Sequence, residues 1–257
     1  MRRALAVVAV VATAFALIGT ALANHSWGSY HWSRASNPFT LNVGDNVDSR
    51  WDAYLNEAIS DWSASSVLDL SKQAGGTNPA SCSPTSGRIE ACNGSYGNTG
   101  WLGVAQIWIS GSHITQAITK LNDTYFDTAT YNTPAWRRLV TCQEIAHDFG
   151  LDHQDENHNN GNLGSCMDYT NDPDGPPSNE HPNQHDYDQI VSIYSHLDGS
   201  GGGGAPGCPG KSKKCQNGLE KAPPFSQASR ASGSVYLDDL GNGNRRITHV
   251  FWTPFGE

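Results

Sequence analysis

Gln143-Glu144-Ile145-Ala146-His147-Asp148-Phe149-Gly150-Leu151-Asp152-His153, followed after a loop by Ser165-Cys166-Met167-Asp168-Tyr169, is the stretch on which the reading of this chain turns. Thr133-Pro134 just upstream is a helix start, with a hydroxyl cap and proline at the first helical position, so a helix is expected from Pro134 to about Phe149. On it Gln143 and His147 are one turn apart and face the same side. Gly150 lets the chain turn back, which brings His153 round to the same point. Two imidazoles and an amide converging there form a ligand set for a metal ion, with Glu144 adjacent to act on a water.

Working outward, Phe39 to Val43 alternates as a strand, and Trp51, Leu55, Ile59 and Trp62 recur at helical spacing between Ser49 and Ser63. Val67 to Leu70, Arg88 to Glu90, Gly103 to Ile109 and His113 to Leu121 read as further strands. A Gly, Asn, Asp and Pro-rich stretch runs to about Pro182, and Tyr187, Ile190, Val191 and Tyr194 then mark a closing helix. Gly199 to Gly207 has the composition of a flexible linker. Beyond it, Ser234 to Leu240 and Arg246 to Trp252 flank Gly241-Asn-Gly-Asn244, a hairpin signal. That hairpin either adds an edge to the core sheet or stands apart. The fold class expected is α+β: a mixed twisted sheet, two long helices, a closing helix and a C-terminal β-hairpin.

The central stretch resembles the metzincin superfamily of zinc endopeptidases, in particular its matrixin-like members, whose pattern is H-E-x-x-H-x-x-G-x-x-H followed by a methionine turn. The resemblance covers about Ser29 to Asp198, with Trp51 to Trp62 similar to the family's first helix and Leu102 to Ile109 to its substrate-binding edge strand. It implies one zinc ion held by His147 and His153, Glu144 as general base, and Met167 beneath the metal. Gln143 stands where the pattern has its first histidine. An amide oxygen is a poorer zinc donor than an imidazole nitrogen, so the altered ligand weakens metal binding. Tyr169 sits two residues after the methionine, where astacins and serralysins place a tyrosine that reaches the metal; it would supply a contact or steady an oxyanion. Substrate would be a polypeptide lying extended along Gly103 to Ile109 by strand addition. The runner-up is an inert secreted module that keeps the fold and binds peptides or proteins without cleaving them.

Composition sets the context. The formal net charge of −9 gives no positive field for nucleic acid or an anionic bilayer. Arg2-Arg3, the apolar run Ala4 to Ile18 and Ala21-Leu22-Ala23 read as a signal peptide over residues 1–23, implying a secreted chain with no membrane span after cleavage. The expected organisation is then a metallopeptidase-like domain over 24–198, a linker over 199–207 and a C-terminal extension over 208–257, acting as a monomer. Six cysteines bound for an oxidising space point to disulfides. Proximity favours Cys82 with Cys92, Cys142 with Cys166 and Cys208 with Cys215. Asp148, Asp152, Asp155 and Glu156, with Asp168, Asn171, Asp172 and Asp174, form acidic loops that admit a calcium site, although no EF-hand spacing is present. Asp155 is the reserve metal ligand should Gln143 not bind. His158, His181, His185 and His196 read as surface or packing histidines.

Overall fold

Alternating apolar residues and capped amphipathic segments assemble into one mixed sheet with helices packed against it. The computed structural model describes residues 25–198 and 222–255. The expected signal peptide, the Gly-rich linker and the Cys208–Cys215 pair lie outside the described residues. In chain order the elements are β1 (His31–Trp32), β2 (Phe39–Asn46), α1 (Asp52–Trp62), β3 (Leu68–Ala74), β4 (Ile89–Gly94), β5 (Trp101–Ser110), β6 (His113–Asn122), α2 (Asp123–Phe126), α3 (Pro134–His147), α4 (Gln184–Ile193), β7 (Val235–Gly241) and β8 (Asn244–Trp252). The α+β expectation with a mixed sheet is met.

The strand order is β3-β2-β4-β6-β5-β8-β7, with β1 paired to the start of β6. β3, β2, β4 and β6 run parallel, and β5, β8 and β7 add antiparallel pairs. The C-terminal hairpin therefore joins the core sheet: β8 pairs with β5 from Trp101↔Trp252 to Ser110↔Asn244. Its turn follows the sequence signal, with Asn242 at φ 55° and Gly243 at φ 77°, the positive angles a tight two-residue hairpin requires.

α1 lies against α3, burying Trp51, Leu55 and Trp62 completely. The Trp62 indole N–H donates to the Cys142 carbonyl at 3.0 Å, so the stripe is both packed and satisfied. Cys82–Cys92 and Cys142–Cys166 are both bridged, as expected. The second ties α3 to the turn carrying Met167. Among the described residues no helix is long and apolar enough to cross a membrane.

Candidate metal centre

α3 begins where the sequence places it. Thr133 Oγ1 accepts from the Trp136 N–H at 3.3 Å, and Pro134 occupies the first turn. The helix stops at His147, two residues before the expected end, and Gly150 at φ 105° reverses the chain. A Cβ there would meet the Tyr30 carbonyl oxygen at 2.6 Å, so both the angle and the close approach demand glycine. The N-terminal segment clamps this reversal: Trp27 N donates to the Gly150 carbonyl at 3.1 Å and Asp152 N to the His25 carbonyl at 2.7 Å.

The reversal brings His147 and His153 together, their Nε2 atoms 3.0 Å apart in a buried setting. Each ring is held in one tautomer. His147 Nδ1–H donates to the Leu151 carbonyl at 2.8 Å, and His153 Nδ1–H donates to Glu156 Oε1 at 2.8 Å. Both acceptors lack a proton to give, so each ring is oriented through Nδ1 and turns its Nε2 toward the other. The His147 Nε2 lone pair is satisfied there either by a proton on His153, paired with Glu156, or by a metal ion between the rings. Burial first, then the neighbouring His153 charge, holds the His147 pKa well below the usual imidazole value. A neutral ring with a free Nε2 lone pair, oriented by a second bond to carbonyl or carboxylate, is the arrangement protein metal sites use.

A third imidazole completes the group. His249, on β8 opposite Ala105, stacks on His147 with ring centroids 3.5 Å apart and planes 6° from parallel. It is buried, and neither ring nitrogen has a hydrogen-bond partner. One donor atom from each of His147, His153 and His249 lies within 4.8 Å of the others. Sequence reasoning missed this residue. The signal was present: along the strand Ile247, His249 and Phe251 point to one face, and Ile247 and Phe251 belong to the main core. A histidine on the core face of a strand needs a partner, and here its partners are imidazoles.

The expected site residues fall around this group. Gln143 sits one turn before His147; its Nε2 donates to the Cys166 carbonyl at 2.7 Å, while its Oε1 is buried without a hydrogen-bond partner. Glu144 is completely buried, and neither carboxylate oxygen has a hydrogen bond of good geometry. Desolvation, reinforced by the Asp148 charge, raises its pKa well above the ordinary carboxylate range. Gly103 on β5 makes room for it, since a Cβ there would meet Glu144 Oε1 at 2.6 Å. Met167 is fully buried, and its carbonyl accepts from Gln154 N, next to His153, at 2.6 Å.

Tyr169 packs its ring 4.4 Å from His153, but its hydroxyl donates to the Val250 carbonyl on β8 at 3.1 Å. Asp155 is turned elsewhere: Oδ1 accepts from Asn157 N and Oδ2 from Asn160. Of the acidic loops, Asp152 and Glu156 come together with His153 as one of the candidate metal-binding groups among the described residues. The expectation that Gly103 to Ile109 lies on an edge is not met. β8 covers that side of β5, since the apolar faces of Ile247 and Phe251 gain more against the core than in water.

A cleft of about 440 Å³ opens beyond Tyr169 and Glu156, bordered also by His158, Arg230 and Trp252. Ser234, at the foot of β7, donates from Oγ to the same Glu156 Oε1 that orients His153. The hairpin therefore touches the site three times, through His249, Val250 and Ser234. No protein-family model and no curated protein matches the chain.

Proposed function

We propose that the chain is a zinc-dependent endopeptidase of metzincin type whose metal is held by His147, His153 and His249. The observation that carries this is the pair of inward Nε2 atoms 3.0 Å apart, each ring oriented through Nδ1 by an accepting partner, with a third unpartnered imidazole stacked beside them. The residues fit the ion: three neutral nitrogens are a common set for a hydrolytic zinc. Bound zinc would supply Lewis acidity to a scissile carbonyl.

The chain's own residues do the rest. Glu144, buried against Gly103 and one residue on from Gln143, takes a proton from the attacking water and later delivers it to the leaving amine. Tyr169 O–H, released from Val250, donates to the oxyanion that develops at the carbonyl. Glu156 and the Leu151 carbonyl hold the two rings in register. β8 occupies the side of β5 where an extended substrate would add, and because it also carries His249 it stays in place, so substrate reaches the group from the cleft beyond Tyr169. The cleft beyond Tyr169 offers room for a substrate side chain. Two disulfides accord with action in an oxidising, extracellular space.

A second reading is favoured by burial: His147, His153, His249 and Glu144 are all buried, as in a structural metal site that does no chemistry. The two readings separate in one experiment. Zinc content is measured on the purified chain and on His249→Ala, and cleavage of an unfolded protein is followed for wild type and Glu144→Gln, with and without chelator. Chelator-sensitive cleavage reduced about 10²- to 10⁴-fold by Glu144→Gln supports the peptidase. Zinc that His249→Ala removes, with no turnover in wild type, leaves the inert binding module, and a zinc content that His249→Ala does not change removes both.

A further inference from the structure

A second cluster of metal-binding side chains lies at the opposite end of β6's neighbourhood, built from three remote parts of the chain. His31 on β1, His113 at the start of β6 and Asp198 after α4 place one donor atom each within 4.8 Å of one another. His31 Nε2 is 3.2 Å and His113 Nε2 3.1 Å from the same oxygen, Asp198 Oδ1. His196 adjoins them, its Nε2 3.2 Å from His31 Nε2 and 3.7 Å from Asp198 Oδ1. We propose that this cluster is a structural zinc site with His31, His113 and Asp198 as ligands and His196 in the fourth position.

The polar bookkeeping at His31 carries the argument. Its ring is 1% exposed, and Nδ1–H donates to the Ser29 carbonyl at 2.6 Å. With Nδ1 so engaged, Nε2 is aimed at the Asp198 carboxylate oxygen and at His196 Nε2, a convergence of donor atoms on one point that a cation would satisfy. Asp198 is prepared in the same way. Its Oδ2 is taken by Arg34, through the backbone N–H at 3.0 Å and the guanidinium Nη1 at 3.0 Å, which leaves Oδ1 alone facing the imidazoles. Ligands oriented by outer hydrogen bonds are the mark of a built site. The spacing also fits: donors about 2.0–2.2 Å from a tetrahedral zinc stand roughly 3.3 Å from each other.

The site would be structural, because protein donors can fill it and its carboxylate is a ligand, held by Arg34, not free to act as a base. It would tie β1, the β5–β6 turn and the end of α4 together. That junction lies outside the His147 group and is independent of its role. The rival is a proton: an imidazolium at His31 against Asp198 would satisfy the same contacts without metal.

His113 and His196 are 33% and 30% exposed, so replacing them spares the core. The full chain and a His113→Gln/His196→Gln variant are equilibrated with zinc, desalted and analysed for metal. The variant is expected to hold one equivalent fewer than wild type, and its midpoint of thermal unfolding to fall in zinc but match wild type in chelator. The difference is read, so the result stands whatever the His147 group contains. An equal zinc count in the two proteins overturns the proposal in favour of the ion-pair cluster. Should the variant not fold, anomalous scattering at the zinc edge from wild-type crystals decides: a peak about 2 Å from His31 Nε2 supports the site, and its absence overturns it.

Discussion

Glu156 shows how a single residue outside the ligand set can govern the His147–His153–His249 group. Its Oε1 receives both His153 Nδ1–H and Ser234 Oγ–H, so one carboxylate fixes the ring's tautomer and anchors the hairpin. Glu156→Gln keeps the shape but loses the charge, and metal affinity is expected to fall about 10- to 100-fold, the usual cost of losing such a support. Competition with a chromophoric chelator measures it. His249→Ala removes a donor outright and is expected to cost more than Glu156→Gln in the same assay. Gln143→Ala is expected to cost less than either, because an amide oxygen is a poorer zinc donor than an imidazole nitrogen. A larger loss from Gln143→Ala than from His249→Ala would return the third position to the amide oxygen.

Between elements, the decisive contact is α3 against β5, where Gly103 faces Glu144. A methyl group at 103 would meet Glu144 Oε1 at 2.6 Å and Val140 Cγ1 at 2.7 Å, both too close, so Gly103→Ala must push the helix or the carboxylate aside. We expect it to destabilise by about 1–3 kcal/mol, as overpacking does, and to lower cleavage further than the lost stability explains. On the other side of α3, the Cys142–Cys166 bridge holds the helix to the methionine turn. Cys142→Ser/Cys166→Ser is expected to lower stability by about 3 kcal/mol in denaturant titration. The β2–α1 loop carries an electrostatic counterpart: Arg50 binds Asp48, Asp123 and Asp127 at once. Hydrogen bonds from Arg50 lower the Asp48 pKa from 3.8 to about 2. A depressed carboxylate stabilises above its unfolded pKa and is lost as pH falls through the folded one, so the denaturant midpoint of wild type should drop between pH 4 and 2 more steeply than that of Asp48→Asn. These elements were legible because their signals are local: the Thr133-Pro134 cap, the Trp51–Leu55–Trp62 stripe and the Asn242-Gly243 turn. The partner of β5 was not, since strand pairing across more than a hundred residues leaves no periodic trace. For the same reason His249 escaped notice as the neighbour of His147.

On the scale of the whole molecule, the hairpin of β7 and β8 both completes the sheet and brings an imidazole to the histidine group. Ile247, Val250 and Phe251 are fully buried, at about 1.5–3 kcal/mol each, so the sheet depends on it for several kcal/mol. The same strand covers β5, supplies His249 and holds the Tyr169 hydroxyl through Val250. A chain ending at residue 198 should therefore be less stable, expose β5 as an open edge and bind zinc more weakly. Adding a synthetic peptide spanning residues 244–252 should restore both, because its strand register and its imidazole return together. The same peptide carrying His249→Ala should restore thermal stability in part but leave zinc affinity low. That split is the informative result, since packing and metal ligation would then reside in separate side chains of one strand. If the two peptides restored zinc binding equally, His249 would be a packed core histidine and the metal would rest on His147 and His153 with another donor.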